Sequence, residues 1–262
     1  MDTTLITGAS SGIGKSLAAL FAQGGSNLVL VARSQAKLEE LAQQLQAEHN
    51  IMVWVEPADL SLPGAAKKLA ASLARQDIEV DMLVNNAGVL EHGRFVEIGT
   101  QAHRRMLDLN ISGLTEMLDY FLPAMVERGR GRVLNVASIA SFQPIPSLAI
   151  YAASKAFVLS LTESLAEELK GSGVSITALC PGITATNMLS TAQEHSVGLN
   201  IPDFLIGDVN EVAADGYKAC MKGEVIVVPG AMNMAAILAG RAIPKWLLRR
   251  ITGFAGRYTT DH

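Results

Sequence analysis

Short, β-branched apolar runs alternate along the chain with longer segments in which apolar positions recur every three or four residues. Thr3–Thr7 is the first strand-forming run. Residues 13–22 follow, with Ile13, Leu17, Leu20 and Phe21 on one helical face. Asn27–Ala32 reads Asn-Leu-Val-Leu-Val-Ala, the continuous apolar pattern of a strand covered on both faces. Gln35–His49 sets Leu38, Leu41 and Leu45 at helix spacing. The pattern then predicts a strand at 51–55, a helix at 63–75 with Pro63 in its first turn, and a strand at 82–86. A long helix at 100–128 leads to a strand at 132–137, a helix at 149–170, and strands at 175–179 and 225–228. Seven strands separated by helices imply one α/β unit: a doubly wound, mainly parallel sheet with helices on both faces. No linker or low-complexity segment divides residues 1–262, so a single domain is expected. The one long irregular stretch, 181–207, has the length of a functional loop.

Composition narrows the classes. The chain has 262 residues, 49% of them hydrophobic, enough for a large core. Twenty-one basic residues against 25 acidic ones give a net charge of -4, which argues against a nucleic-acid partner. Cys180 and Cys220 lie far apart and match no metal spacing; they read as reduced core thiols of a cytoplasmic protein. No cluster of metal-ligating residues is evident. A motif begins at Thr7, which leaves no room for a signal peptide before it. The apolar stretch 225–240 is interrupted by Pro229 and Gly230 and reads as a strand followed by a helix, not a membrane span.

The turn after the first strand reads Thr7-Gly8-Ala9-Ser10-Ser11-Gly12-Ile13-Gly14. Its glycines allow a tight turn and let a pyrophosphate approach the backbone. The amides and dipole of the following helix then attract the anion. This makes the unit a Rossmann-type dinucleotide binder, although the spacing Gly-x-x-x-Gly-x-Gly departs from Gly-x-Gly-x-x-Gly. An NAD enzyme would place Asp or Glu at the end of the second strand. Here Arg33 and Ser34 follow Val31-Ala32, and an arginine fork suits the 2′-phosphate of NADP(H).

Tyr151 and Lys155 are four apart on a predicted helix and share a face. An ammonium beside a phenol favours the phenolate, so Lys155 is expected to lower the Tyr151 pKa and make it an acid–base. Ser138 follows the strand at 132–137, at the sheet edge where such folds bind ligands, and its hydroxyl can hold a carbonyl oxygen.

With these residues in place, the chain resembles the short-chain dehydrogenase/reductases, most closely their general bacterial-type reductases with Leu-Val-Ala-Arg followed by Lys37-Leu38-x-x-Leu41. The resemblance runs through the last strand. It implies that Gly8, Ser10, Ser11, Gly12, Ile13 and Gly14 form the cofactor loop, that Arg33 and Ser34 follow the NADP-type pattern, and that Asp59 and Leu60 meet the adenine. Asn85-Asn86-Ala87-Gly88 matches the motif after the fourth strand. Pro181, Gly182, Ile183, Thr184 and Thr186 match the segment that grips the nicotinamide. Asn110, Ser138, Tyr151 and Lys155 match the catalytic tetrad. By that resemblance Ser138 polarises the substrate oxygen and Tyr151 transfers the proton. Lys155 holds the nicotinamide ribose and Asn110 supports a water. One position differs: many NADP-preferring members carry a second basic residue in the glycine loop, where this chain has Ser11.

The implied activity is NADP(H)-dependent interconversion of a carbonyl compound and an alcohol, in a homodimer or homotetramer. The positions expected to face substrate include Ser138, Phe142, Leu148, Phe95, Met188 and Leu189, joined by Leu90, Ile145 and Ile183, so a hydrophobic ketone or aldehyde is expected. The segment from about 187 to 207 is expected to form a substrate lid. Two other readings stay open: a dinucleotide-binding regulatory protein without chemistry, and a hydrolase using Ser10 in Gly8-x-Ser10-x-Gly12 with Asp119 and His195. His92 and His103 read as solvated surface histidines. The extension from about 231 to 262 carries Arg241, Lys245, Arg249, Arg250 and Arg257 beside Trp246, Leu247 and Phe254. It reads equally as a packed terminal helix or as a basic amphipathic helix that touches a membrane surface or covers the substrate mouth.

Overall fold

A computed structural model of the chain describes residues 1–184 and 206–242. Its elements run β1 (Thr3–Thr7), α1 (Gly12–Gln23), β2 (Asn27–Ala32), α2 (Gln35–His49), β3 (Val53–Pro57), α3 (Ala65–Arg75) and β4 (Met82–Asn85). They continue with α4 (Phe95–Ile98), α5 (Thr100–Leu107), a π-helical turn (Asp108–Gly113), α6 (Leu114–Glu127) and β5 (Gly131–Val136). After a 3-10 turn (Ile139–Phe142) come α7 (Ala149–Glu168), β6 (Val174–Leu179), α8 (Val209–Lys222), β7 (Ile226–Val227) and α9 (Ala231–Ala242).

The seven strands form one sheet in the order β3-β2-β1-β4-β5-β6-β7, and every pairing is parallel. Alternate residues of each strand serve opposite faces. Leu5, Val29, Leu83, Val133 and Ile176 pack with the apolar sides of α3, α6 and α7. Ile6, Leu28, Leu30, Val84, Leu134 and Leu179 pack with those of α1, α2 and α8. Burial on both faces explains why the central strands are continuous apolar runs. The chain reverses its direction of travel across the sheet between β1 and β4, and sheets of this type bind ligands beyond the carboxyl ends of the strands at that point.

Several boundaries move. β3 starts and ends two residues later than the apolar pattern implies. It is an edge strand, so Glu56 and Pro57 are tolerated where a central strand would exclude them. Pro63 is not in a helix. Gly64 at φ +73° breaks the chain direction, and α3 begins at Ala65. The long helix at 100–128 is two helices joined by the π-helical turn. There the backbone passes so close to the Leu60 carbonyl that a Cβ on Gly113 would collide with it. β7 is only two residues long.

Helix α8 is an element the apolar spacing does not announce, because its buried face is built from small residues such as Ala213, Gly216 and Ala219. Its ends are nevertheless written in the sequence. The Asp208 carboxylate accepts from the amides of Asn210 (2.8 Å) and Glu211 (3.0 Å), and Gly223 closes the helix at φ +70°. Cys180 and Cys220 are buried free thiols, as expected. Most of the expected lid, including Met188 and Leu189, lies outside the described residues, as do Thr186 of the expected nicotinamide-gripping segment and the chain beyond Ala242 with Lys245, Arg249, Arg250 and Arg257. Among the described residues no helix is long and apolar enough to cross a membrane.

Candidate active site

The carboxyl ends of β1 to β6 each deliver residues to one edge of the sheet. At β1, the buried Thr7 organises the glycine turn. Its hydroxyl donates to the Val84 carbonyl (3.2 Å) and accepts from the amides of Asn86 and Ala87 (both 2.9 Å). The Asn86 carboxamide returns to donate to the carbonyls of Thr7 (2.9 Å) and Gly8 (3.2 Å). Thr7 and Asn86 thus pin the first β-α turn to the end of β4. Gly8 and Gly12 have φ of +66° and +54°, and a Cβ on Gly14 would strike both Gly8 and Asn86. Ser11 is extended and makes no side-chain cap, so the first-turn amides of α1 have no side-chain acceptor there. A backbone cradle without side chains, at an uncapped helix start, fits a pyrophosphate.

At β2, Arg33 is exposed, and Ser34 stands at the start of α2 without spending its hydroxyl on a cap. At β3, Asp59 accepts from the Ser61 hydroxyl (2.6 Å) and amide (3.0 Å). Burial raises the Asp59 pKa, but the two Ser61 bonds and the charges of Arg33 and Arg105 outweigh it and hold the carboxyl below its ordinary value. Leu60 is buried beside it.

At β4, the missing side chain of Gly88 leaves room for Asn110 and Lys155; a Cβ there would stand 3.3 Å from Asn110 Oδ1 and 3.5 Å from Lys155 Nζ. Asn110 lies in the π-helical turn, fully buried. Its Oδ1 accepts from the Val89 amide (2.9 Å), and its Nδ2 donates to the Val89 carbonyl (2.9 Å) and to Ser154 Oγ (3.1 Å). The Ser154 hydroxyl in turn donates to the Tyr151 carbonyl (2.7 Å), which ties Asn110 to the helix that carries the tyrosine and lysine.

At β5, Ser138 begins the 3-10 turn, and its Oγ accepts from the Ala140 amide (3.1 Å) while also hydrogen bonding to the Tyr151 phenol. Lys155 Nζ donates to the Val136 carbonyl (2.8 Å), and the Lys155 carbonyl accepts from Ser141 Oγ (2.8 Å). At β6, Pro181 accepts from the Ile139 amide (2.9 Å), which joins the Ser138 turn to the segment Pro181-Gly182-Ile183-Thr184. The Thr184 hydroxyl donates to the Gly182 carbonyl (3.0 Å). Three tetrad side chains, Ser138, Tyr151 and Lys155, therefore meet at one point, with Asn110 behind them.

Electrostatics at that point differ from the expectation that Lys155 lowers the Tyr151 pKa. Burial pushes the phenol above its ordinary value, and the Ser138 bond opposes this only in part. Burial also pushes Lys155 down, to about 8, with the Cys180 thiol acting in the opposite sense. Cys180 itself is lifted to about 12 by burial, against a bond from the Ser138 amide and the charge of Lys155. Desolvation shifts both reactive groups toward their neutral forms, and the Lys155 ammonium is held by the Val136 carbonyl.

The expected substrate wall divides. Leu148 packs with Leu90, Ile145, Met106 and Ala140 around Tyr151. Phe142 packs against the main core instead. Phe95 stands 57% exposed and stacks on His103, with ring centroids 4.5 Å apart. His103 is thus not a solvated histidine: its Nε2 is buried. His92 is half-buried, and burial lowers its pKa. For the hydrolase reading, Asp119 is exposed on α6 and His195 lies outside the described residues. Among the described residues no group of acidic, histidine or cysteine side chains is arranged to hold a metal.

The sequence marks Thr7 as the start of the cofactor turn, without its bonds across to β4, and marks no role for Ser141 or Ser154. Ser154 had a signal, lying between the two motif residues on the same helix.

The comparisons with known proteins agree with this geometry. Residues 2–196 match the family model for short chain dehydrogenase. The very-long-chain 3-oxoacyl-CoA reductase of Rattus norvegicus is 30% identical over 259 residues, 97% of this chain and 79% of the relative. Among solved structures, a short-chain dehydrogenase from Sphingobium yanoikuyae in complex with NADPH shares 34% identity at a TM-score of 0.82, covering 92% of this chain and 94% of that one. The bulky-bulky ketone specific alcohol dehydrogenase from Comamonas testosteroni shares 32% at a TM-score of 0.78, with 92% of both chains covered. A short chain dehydrogenase/reductase from Burkholderia phymatum in complex with NAD shares 25% at a TM-score of 0.80, again with 92% of both covered. The chain belongs to the short-chain dehydrogenase/reductase family and is an oxidoreductase that uses a nicotinamide dinucleotide.

Proposed function

We propose that this oxidoreductase prefers NADP(H) and interconverts a hydrophobic ketone or aldehyde with its alcohol. The observation that carries the reading is the meeting of Ser138, Tyr151 and Lys155 beside an apolar wall, at the carboxyl edge that also holds the glycine cradle. The dinucleotide, when bound, supplies or accepts the hydride. The pyrophosphate would lie on Gly8, Gly12, Ile13 and Gly14, the adenosine between Arg33, Ser34, Asp59 and Leu60, and the nicotinamide along Asn86–Gly88 and 181–184. Arg33 at the end of β2 supports NADP(H) over NAD(H), because no carboxylate stands there to repel a 2′-phosphate.

Ser138 holds the substrate oxygen from one side. Tyr151 shares that hydrogen bond and gives its proton to the oxygen in reduction, or takes one in oxidation. Burial keeps the phenol protonated, the form that reduction requires. Lys155 is positioned by Val136 to meet the ribose hydroxyls, and Asn110 braces Val89 and Ser154 around it. Leu90, Ile145 and Leu148 offer burial and no polar partners. A polyhydroxylated substrate would leave unpaired hydroxyls there, at about 1–3 kcal/mol each. An apolar chain gains roughly 25 cal/mol per Å² buried.

NADPH consumption with a homologous series of alkyl ketones tests the substrate class. KM should fall steadily with chain length. A flat series, or a preference for polyhydroxylated compounds, contradicts it.

A further inference from the structure

Gly182 has an ordinary backbone conformation, outside the left-handed region that calls for glycine. What it needs is space. The three atoms nearest to a Cβ built there all belong to Asn233 of α9: Nδ2 at 2.5 Å, Oδ1 at 2.7 Å and Cγ at 2.8 Å. The Asn233 carboxamide therefore rests against Gly182 where any other residue would put a side chain. Its position is fixed from its own side. Nδ2 donates to the Pro229 carbonyl (2.7 Å), and the amides of Asn233 and Met234 donate to the Gly230 carbonyl (3.1 and 3.3 Å). Ile237, one turn further along the same face, is buried, while Met232 and Met234 are exposed. Asn233 and Ile237 thus belong to the inner face of α9.

Backbone bonds hold the neighbours of Gly182 from the other side. The Pro181 carbonyl accepts from the Ile139 amide (2.9 Å), the Ile183 carbonyl accepts from the Gly207 amide (2.8 Å), and Thr184 pairs with Gly207. Helix α9 also packs on the 3-10 turn Ile139–Phe142 that follows Ser138. One helix therefore touches both the segment assigned to the nicotinamide and the turn that presents Ser138. That helix lies beyond residue 196, where the match to the family model stops. We propose that Asn233 is a positioning residue for hydride transfer: its carboxamide props Gly182 from α9 and sets where residues 181–184 hold the nicotinamide relative to Ser138 and Tyr151. The inference rests on the reading of 181–184 as the nicotinamide segment. It adds that the C-terminal helix fixes that segment, and that position 182 is glycine in order to admit Asn233. Asn233 acts through Gly182 and not on the reacting atoms. A misplacement of about 1 Å between reacting groups can cost about 10²-fold in rate.

The test is equilibrium binding to the intact protein of NADPH and of 2′-phospho-ADP-ribose, which lacks the nicotinamide, with NADH and ADP-ribose in parallel. Wild type, Asn233→Ala, Gly182→Ala and the double variant are compared, and kcat and KM are measured with a hydrophobic ketone. In Asn233→Ala the dinucleotides should bind about tenfold more weakly, the scale of one lost hydrogen bond, and the two nicotinamide-free ligands within about twofold of wild type. Its kcat should fall about 10–100-fold while KM for the ketone stays within about threefold. Gly182→Ala should bind the dinucleotides more weakly than the double variant, because removing the carboxamide makes room for the added methyl group. Three results overturn the inference. Asn233→Ala may not differ from wild type, or it weakens all four ligands equally, as a helix that only supports the fold would. In the third, Gly182→Ala is no worse than the double variant, and Asn233 does not press on Gly182. If wild type binds the dinucleotides no more tightly than their nicotinamide-free counterparts, the reading of 181–184 itself fails, and this inference with it.

Discussion

The Nζ of Lys155 lies 5.9 Å from the centre of the Tyr151 ring and donates to the Val136 carbonyl at 2.8 Å. The two residues share a helix face, are both buried, and are both shifted toward their neutral forms by that burial. The protein keeps an ammonium where solvation does not help it, which is a cost accepted for function.

That cost is measurable. The fall of the Lys155 pKa from its ordinary value to about 8 corresponds to about 3 kcal/mol of destabilisation of the charged form. Its folded pKa lies below its unfolded one, so the unfolded chain binds the extra proton between about pH 8 and the ordinary lysine value, and stability rises with pH across that window. Lys155→Met removes the penalty at pH 7 and loses one hydrogen bond worth about 1 kcal/mol. Thermal unfolding at pH 7 should show a higher Tm for Lys155→Met than for wild type, in a protein without turnover. A lower Tm would mean that the charge is better solvated than its burial implies.

The same titration should appear in catalysis. In the free enzyme Lys155 loses its charge as pH rises through about 8, and with it the ammonium that meets the ribose. The kcat/KM for reduction should fall above that pH, because this parameter reports groups of the free enzyme. Lys155→Arg, which stays charged, should move the falling limb upward at reduced overall activity. A limb unmoved in Lys155→Arg assigns the titration to another group.

Gly14→Ala should abolish dinucleotide binding. A Cβ there meets the Gly8 carbonyl and the Asn86 carboxamide, and neither can retreat without opening the pyrophosphate turn. Gly64→Ala serves as control: it strains a left-handed residue but has open space around it. It should cost about 1 kcal/mol of stability and leave NADPH binding within about twofold. Equal loss of binding in both variants would sink the steric explanation.

Beneath the site runs a buried polar chain. Asn85 Nδ2 donates to Asn135 Oδ1 (3.0 Å), Asn135 Nδ2 to Thr162 Oγ1 (2.9 Å), and Thr162 Oγ1 to the Val158 carbonyl (2.7 Å). It links β4, β5 and α7. Asn135→Ala leaves partners unpaired on both sides and should cost about 2–4 kcal/mol in chemical denaturation. A cost below about 1 kcal/mol would show that water or side-chain movement satisfies them.

Much of this arrangement was legible in the residues. The parallel sheet follows from apolar runs too continuous for half-exposed strands, and the site follows from glycines and polar residues placed just after those runs. What escaped has physical reasons. Helix α8 packs through Ala213 and Gly216, and small residues make a weak apolar stripe; a Cβ on Gly216 would stand 2.7 Å from Leu179. The π-helical turn at Asn110 depends on a tertiary approach to Leu60, which no local pattern encodes. Phe95 looked like a pocket residue because it is large and apolar, yet a short helix after Gly93 turns it toward His103. The direction of the Tyr151 shift depended on how deeply the pair is buried, and spacing along a helix says nothing about depth.

The most direct test of the central claim compares wild type with Tyr151→Phe in NADPH oxidation by a hydrophobic ketone, with NADPH binding measured alongside. The substitution removes only the phenolic hydroxyl, with its proton and its bond to Ser138, and general acid–base catalysis contributes about 10²–10⁴-fold. Turnover should fall by at least that range while NADPH affinity stays within about twofold. Tyr151→Phe that turns over at a rate near wild type would contradict the assignment of Tyr151 as the acid–base of this oxidoreductase.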